Sequence, residues 1–525
     1  MSKTSGILII GGGIAGIQAA LEAADQSATV YLVERGPSIG GHMAMLNKTF
    51  PFMDCATCIL TPKMAEVATH PNIKLLAYSE LQEVKRNGKG FDVKVLKKPR
   101  FIDETKCISC GNCAQHCPVE VPNEFDMGLS PRKAIYIPFP RAVPSTYTID
   151  DEHCLRKIEG IKCGLCERVC PMKAVNFDQK PEIVSFTVGA VIVATGFTPS
   201  DAPNKSEYGY GRYPNVITNL ELERLLSDSG PTWGHVMRLS DGHIPKRVAF
   251  IPCVGIRDNS MKGKLCSQIY CMSLTKNAIL LKEHIHDVDV TVFHSDIQDR
   301  GDGFKELYRR AKEEFNVHYL SREVAKVIEE PGTGNLIIHA YDTNKSKMVE
   351  EKFDMVVLSV ALDPSTGISM LSKVLDLPVD ECSYIKTNSI TTKADGIFVA
   401  GAVHGPKDIS DSVADAREAV AKALTYVNGD RIRMVEPIID GWPIIRGCHA
   451  VVNENLCSGC GICVALCPYD AAKKDKRGIA TVRGDLCKGC GTCAASCPER
   501  AIKMCHFTDE QIVAQAIATL GKIPA

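Results

Sequence analysis

The sequence predicts an α/β chain into which two cysteine-rich modules are set, one inside the α/β part and one at its end. Three observations predict this. A glycine-patterned strand–turn–helix opens the chain, a second α/β stretch lies in its middle, and cysteines recur in four closely spaced runs. The 525 residues are too many for one core and enough for several domains. Hydrophobic residues make up 45% of them, so sizeable cores can be buried. The formal net charge is −1, a balance that favours neither nucleic acid nor an anionic membrane as a partner. No apolar run is long enough to span a bilayer, so direct membrane insertion is not expected. The apolar start at residues 6–20 has no cleavage-site pattern and is read as structure rather than as a signal peptide. In a long chain of this kind, 24 cysteines point to metal rather than to a disulfide framework, and to a reducing, cytoplasmic, oxygen-poor setting.

Residues 6–35 read as a βαβ unit. An apolar strand starts at Gly6–Ile10, Gly11-Gly12-Gly13-Ile14-Ala15-Gly16 fits G-x-G-x-x-G, residues 17–24 are helical, and the strand over residues 29–33 ends at Glu34. Gly11 permits the tight turn, Gly13 admits a pyrophosphate, and Gly16 lets helix pack on strand. The anion sits at the helix N-terminus, and Glu34 is placed to accept hydrogen bonds from a ribose. A bare glycine-rich turn without ligand is the competing reading, and the strand, helix and distal acid around it weigh against that. Gly40-Gly41 follows Glu34 at E-x5-G-G spacing, which resembles the extended fingerprint of FAD-binding oxidoreductases. In that resemblance, residues 190–196 (A-V-I-V-A-T-G, ending at Gly196) return to the FAD domain. Residues 395–401 (D-G-I-F-V-A-G, ending at Gly401) give a second flavin contact; Lys407 lies near that segment and reads as a flavin contact, with surface or core packing as the competing reading. Many relatives hold the ribityl chain with an Asp after the final Gly; here that position is Ala402.

The cysteine runs carry the second cofactor. Cys107, Cys110, Cys113 and Cys117-Pro118 form C-x2-C-x2-C-x3-C-P, and the pattern recurs at Cys457, Cys460, Cys463, Cys467-Pro468 and at Cys487, Cys490, Cys493, Cys497-Pro498. A looser copy runs Cys154, Cys163, Cys166, Cys170-Pro171. Three thiolates on a tight loop cap three irons of a cube, and the fourth Cys of each run ligates the other cube of a pair. Soft thiolates suit iron–sulfur clusters, and structural zinc is the competing reading. One cluster is therefore expected on Cys107, Cys110, Cys113 and Cys170, and its twin on Cys154, Cys163, Cys166 and Cys117. At the other end, Cys457, Cys460, Cys463 and Cys497 pair with Cys487, Cys490, Cys493 and Cys467. The long gap after Cys154 leaves open a three-iron species or another ligand at that corner.

These landmarks divide the chain. Residues 1–98, 181–243 and 384–435 form the FAD-binding domain, and residues 99–180 are a 2[4Fe-4S] ferredoxin inserted into it. Residues 244–383 form a second nucleotide-binding-like domain, and residues 436–525 a C-terminal 2[4Fe-4S] ferredoxin ending in a helix over 508–524. The plan resembles thioredoxin reductase, an α/β two-domain flavoprotein. Its second domain would bind NAD(P) through a glycine loop, but here the place reads Pro252-Cys253-Val254-Gly255-Ile256-Arg257-Asp258.

That replacement, together with G-G-G-I-A-G, F-P-F-M-D-C-A-T-C-I-L over residues 50–60, V-E-V-P-N-E-F over 119–125, A-I-Y-I-P-F-P-R-A-V over 134–143 and G-P-K-D over 405–408, resembles the heterodisulfide reductase A-subunit family across nearly the whole chain. Methanogen members have an extra N-terminal domain, which is not expected here. The family also has a cluster motif in the second domain that ends in two adjacent cysteines. Cys253, Cys266 and Cys271 match three of its positions and Tyr270 occupies the fourth. A cluster there takes a ligand from elsewhere, is incomplete, or is absent. Cys55 and Cys58 serve a cluster or form a redox thiol pair, with a ligand or structural role favoured. Cys382, Cys448 and Cys505 fit no motif and read as inert thiols.

The resemblance implies an oxidoreductase subunit with FAD and at least four [4Fe-4S] clusters, active in a complex. It splits electrons from a hydrogenase, formate dehydrogenase or other donor between disulfide-reducing B and C subunits and ferredoxin. A flavin moves one or two electrons, whereas a nicotinamide moves only hydride. The alternatives are a non-catalytic cluster conduit and a Qmo-type, quinone-linked subunit; the intact glycine fingerprint argues against the conduit. No Ser/His/Asp set or paired carboxylates suggest hydrolysis, and no residue stands out as an acid–base catalyst.

Overall fold

The computed structural model describes residues 6–158, 161–200, 206–256, 266–428, 449–467, 469–483, 486–487 and 491–504. The chain divides into two units, Met1–Arg431 and Ile432–Ala525.

The first unit is built on a five-stranded parallel sheet. Gly6–Ile10 lies at its centre, with Ala190–Val193 and Ile397–Val399 on one side and Thr29–Glu34 and Ile73–Ala77 on the other. Every residue of the central strand is buried, as an unbroken apolar run in a parallel sheet requires. The Ile14–Asp25 and Ile409–Asn428 helices pack on each other and against this sheet. A three-stranded antiparallel sheet, Glu182–Val188, Gly90–Lys97 and Ser79–Asn87, packs against it, with Phe186 stacked on Tyr31 at 3.8 Å. Two of the five parallel strands come from far along the chain, which brings residues 190–196 and 395–401 to the first glycine turn.

The same unit holds a seven-stranded sheet. Its order is Val216–Thr218, Met355–Val360, Arg247–Val254, Asp289–His294, His318–Glu329, Leu336–Asp342, Lys347–Phe353, parallel through the first five strands. The Gln268–His284 helix covers one face, capped by the Ser267 hydroxyl, which accepts the Ile269 N–H. The Asn219–Leu226 helix begins with a capping box between Thr218 and Glu221. These two helices share a fully buried ion pair, Glu223 with Lys276. Glu223 also accepts the Asn47 N–H at 3.0 Å, and Lys276 donates to the Lys48 carbonyl at 3.0 Å. Burial pushes the Lys276 ammonium down and Glu223 pulls it back. The pair therefore clamps the loop after residue 46 of the first sheet's layer onto the second.

Along the chain, between the paired Gly90–Lys97 and Glu182–Val188 strands, comes a small module of two hairpins, Glu120–Pro122 with Pro131–Lys133 and Ile135–Tyr136 with Thr148–Ile149. Its core is Phe101, Ile102, Ile135, Ile149, Ala174 and Val175, with cysteines packed around it. The module grips the glycine loop of the first sheet. Ile39 N–H donates to the Val143 carbonyl at 3.0 Å, Val143 N–H to the Ser38 hydroxyl at 2.8 Å, and Arg100 to the Pro37 carbonyl at 2.7 Å.

The second unit has the same economy of structure. Ala450–Val452 pairs with Ile502–Met504 and Ala472–Lys474 with Ala480–Val482, around Ala450, Cys463, Ala480 and Ile502. The helix expected over 508–524 lies outside the described residues, as do Cys448, Cys490 and Cys505. Among the described residues no helix is long and apolar enough to cross a membrane.

Candidate functional site

The first glycine turn is shaped by backbone contacts. Gly11 donates to the Val33 carbonyl at 2.8 Å with φ +107°, and a Cβ there would overlap the Ala194 carbonyl. A Cβ on Gly16 would overlap the Gly11 carbonyl oxygen, so the helix rests directly on the turn. Gly13 differs from both. It caps the Ile14–Asp25 helix with ordinary extended backbone, no side chain caps the end, and a Cβ would meet nothing within 4 Å. An open space at an uncapped helix N-terminus is the cradle that a pyrophosphate needs. The Gly40-Gly41 loop closes over it: Gly40 N–H donates to the Gly12 carbonyl at 2.7 Å, and a Cβ on Gly41 would lie 2.9 Å from Gly13 Cα.

Glu34 braces this turn. Its carboxylate accepts Gly12 N–H at 2.7 Å and Gly36 N–H at 2.6 Å. Burial raises its pKa, against the pull of these N–H groups. The sequence offers Glu34 to a ribose; the structure gives it backbone work first. It borders a recess with Gly11, Arg35, Ser79, Thr195 and Met370.

Gly196 and Gly401 both have positive φ at the ends of the returning strands. Gly401 approaches the first helix so closely that its Cβ would sit 2.9 Å from Ala15 Cβ. Its N–H donates to Asp415 at 3.2 Å. Asp415, on the Ile409–Asn428 helix, also takes His404 at 2.8 Å and Lys407 at 2.6 Å. Burial pushes the Asp415 carboxyl up, but these two partners outweigh it and hold it below its ordinary value. Lys407 is thus engaged with Asp415. Sequence reasoning missed Asp415 and His404, because nothing in their spacing sets them apart from other helix acids and scattered histidines. It also missed His42, stacked on Phe197 at 4.3 Å beside Gly41 and kept neutral by burial, which pushes its pKa down to about 4.

The cysteines of the inserted module gather by recess rather than by run. One recess is lined by Cys107, Cys110, Cys113 and Cys170, with Tyr147 beside them. A second is lined by Cys117, Cys154, Cys163 and Cys166. Cys154 is buried there despite its long gap from Cys163. Burial, with neighbouring cysteines adding to it, pushes the Cys113 thiol up to about 12 and the Cys166 thiol up to about 11. Thiols this close resist joint ionisation until a cation compensates them, which is what iron supplies. In the second unit a recess is lined by Cys467, Cys487 and Cys493. Cys457 and Cys460 neighbour Cys463, and Cys497 packs in the same small core.

Cys253 and Cys271 of the second α/β stretch pack in different hydrophobic clusters. Tyr270 is buried with Ile256 and Ala361, with Cys253 packed beside it. Burial pushes its hydroxyl up to about 12, with Asp363, Cys253 and Cys266 adding to the effect. Cys271 instead lies in the core between helix and sheet, near Tyr319. A Cys271→Ser chain is expected to keep the parent's iron content while losing about 1–2 kcal/mol of stability, the cost of a hydroxyl in an apolar site. Loss of iron on that substitution would show that Cys271 turns to a cluster after all; denaturant titration and iron analysis together decide it. Cys55 and Cys58, offered by the sequence as less certain ligands, are joined in a disulfide. Sulfurs bonded to each other offer no thiolate to iron, so the structure shows a bonded pair where the sequence favours a ligand or structural role.

Comparison with known proteins bears on both cofactors. The family described as FAD dependent oxidoreductase matches residues 6–97. Two families described as 4Fe-4S binding domain match 100–123 and 152–173, and a 4Fe-4S dicluster domain matches 450–504. The chain is 48% identical to the iron-sulfur A-subunit of the CoB--CoM heterodisulfide reductase of Methanocaldococcus jannaschii, over 97% of this chain and 76% of that one. It is 46% identical to the A-subunit of the H(2):CoB-CoM heterodisulfide,ferredoxin reductase of Methanothermobacter marburgensis, over 98% of this chain and 76% of that one. Among solved structures, the thioredoxin reductase of T. acidophilum aligns with a TM-score of 0.45 and 14% identity, over 80% of this chain and 98% of that one. FAD and [4Fe-4S] clusters are the cofactors, and the open cradle at Gly13 and the thiol-lined recesses fit them.

Proposed function

The chain belongs to the heterodisulfide reductase A-subunit family, and from that premise we propose that it splits electrons from a donor subunit between a disulfide-reducing partner and ferredoxin. It is an FAD- and iron–sulfur-containing oxidoreductase subunit. Bound FAD exchanges electrons in pairs or singly, and each cube exchanges one. The observation that carries the reading is the cross-lined pair of thiol recesses in a module that grips the glycine loop of the flavin cradle.

In this reading, Gly11, Gly13, Gly16, Gly40 and Gly41 hold the pyrophosphate side of FAD. Glu34 takes the ribose on its remaining lone pairs, and Gly196 and Gly401 border the flavin. Lys407 reaches the flavin from its place on Asp415. Cys107, Cys110, Cys113 and Cys170 ligate one cluster and Cys117, Cys154, Cys163 and Cys166 its twin. The C-terminal runs ligate two more in the same crossed manner. The domain limits, with the ferredoxin over 99–180 and the second domain over 244–383, follow these roles.

The partners are B and C subunits that reduce a heterodisulfide, a donor such as a hydrogenase or formate dehydrogenase, and ferredoxin. The Methanothermobacter relative is named for hydrogen, heterodisulfide and ferredoxin together. A nicotinamide is not the donor, because the strand Arg247–Val254 runs into Pro252-Cys253-Val254 where a glycine phosphate loop would stand. In the anaerobically assembled complex, ferredoxin should be reduced only while heterodisulfide is being reduced. The isolated chain, loaded with both cofactors, should leave NADH untouched. Ferredoxin reduction without heterodisulfide would refute the splitting, and rapid NADH oxidation by the isolated chain would refute the donor assignment.

A further inference from the structure

We propose that Cys55 and Cys58 are a thiol–disulfide exchange site that takes two electrons from a vicinal dithiol, separately from the cluster cysteines. Among the described residues theirs is the one disulfide. They stand at the start of a long helix, Ala56–Thr69, with Cys55 as its N-cap and Cys58 in its first turn. The Cys58 N–H donates to Cys55 Sγ at 3.2 Å. A thiolate released at Cys55 therefore meets both that N–H and the positive end of the helix.

Access is open from outside. Both cysteines are exposed, and Phe52 and Ile59 beside them are 77% and 39% exposed. The surrounding loop does not depend on the sulfur–sulfur bond for its shape. Ala56 N–H donates to the Asn47 carbonyl at 3.0 Å and Thr49 N–H to the Asp54 carbonyl at 2.7 Å. Lys48 pairs with Glu283, Phe50 and Met53 pack into the core of the second sheet, and Pro51 rests against Gly303. A pair that opens and closes repeatedly needs a frame of this kind, in which reduction frees two sulfurs without unfolding the loop.

The exchange balances. One thiolate of the dithiol attacks Cys58 Sγ, the Cys55–Cys58 bond breaks, and its electron pair leaves on Cys55 Sγ. The dithiol's second thiolate then attacks its own partner sulfur in the mixed disulfide and expels Cys58 as thiolate. The two cysteines take up two protons, the enzyme disulfide becomes a dithiol, and the incoming dithiol becomes a disulfide.

The test uses the full chain with FAD and clusters bound, equilibrated anaerobically with mixtures of reduced and oxidised dithiothreitol. Free thiols are then alkylated and the peptide carrying both cysteines is weighed. The expected result is a reversible change between no label and two labels as the ratio is varied, at constant iron and flavin. Cys55→Ser and Cys58→Ser should each keep the parent's iron and flavin. Labelling that ignores the dithiothreitol ratio overturns the proposal. So does the loss of about four irons in either variant, since that is one cube and would make these cysteines ligands.

Discussion

A Gly13→Val chain is expected to fold, to keep its iron and to lose its flavin, with flavin per chain falling roughly tenfold or more because the pyrophosphate cradle is filled. In the structure a Cβ at this position meets nothing within 4 Å, and its backbone is ordinary extended chain. Valine therefore strains neither the turn nor the helix. It occupies the space in front of the free N–H groups at the start of the Ile14–Asp25 helix, where the anion has to sit. Gly16→Val is a different experiment. Its Cβ overlaps the Gly11 carbonyl, so the helix has to move away from the central strand, taking the buried Ile17, Ala19 and Ala20 with it. That chain should lose flavin and also melt at lower temperature. Flavin absorbance, iron content and a melting curve on both variants separate cradle from packing. A folded Gly13→Val chain with full flavin would show that FAD binds elsewhere.

The two glycines look alike in the sequence, and the reason is physical. G-x-G-x-x-G reports that three positions tolerate no side chain, but not what each side chain would strike. The rest of the fold divides on the same line. The unbroken apolar run at Gly6–Ile10 and the glycines after it are local signals, so the opening βαβ unit was legible. The cysteine runs were legible as loops because three ligands of a cube come from consecutive turns. Asp415 was not, because its role arises only where the Ile409–Asn428 helix passes Gly401, His404 and Lys407. The clamp on residues 47–48 depends on Glu223 and Lys276, two long-range partners that no spacing reveals. Tyr270 and Cys271 are a case where the signal was present and underused. Neighbours on a helix point about 100° apart, so one of the pair faces Cys253 and the other the core.

Cys170→Ser is expected to damage the cluster of Cys107, Cys110 and Cys113, although Cys170 belongs to the other run. The recess lined by those three holds Cys170 as its fourth sulfur, while Cys117 has crossed to Cys154, Cys163 and Cys166. Serine offers iron a hard, weakly acidic oxygen in place of a soft thiolate, so the fourth iron is lost or the cube falls apart. Single variants alone do not establish the crossing, because any ligand loss lowers iron. Pairs of substitutions do. Cys170→Ser with Cys110→Ser strikes one cube twice, and the second change should cost little further iron. Cys170→Ser with Cys163→Ser strikes both cubes, and the iron losses of the two single changes should add. Ligation within each run predicts the reverse, with Cys110 additive to Cys170 and Cys163 not. Anaerobic iron analysis and electron paramagnetic resonance on the three single and two double variants distinguish the two patterns. Additivity between Cys170 and Cys110 would show that the clusters follow the sequence runs and not the recesses.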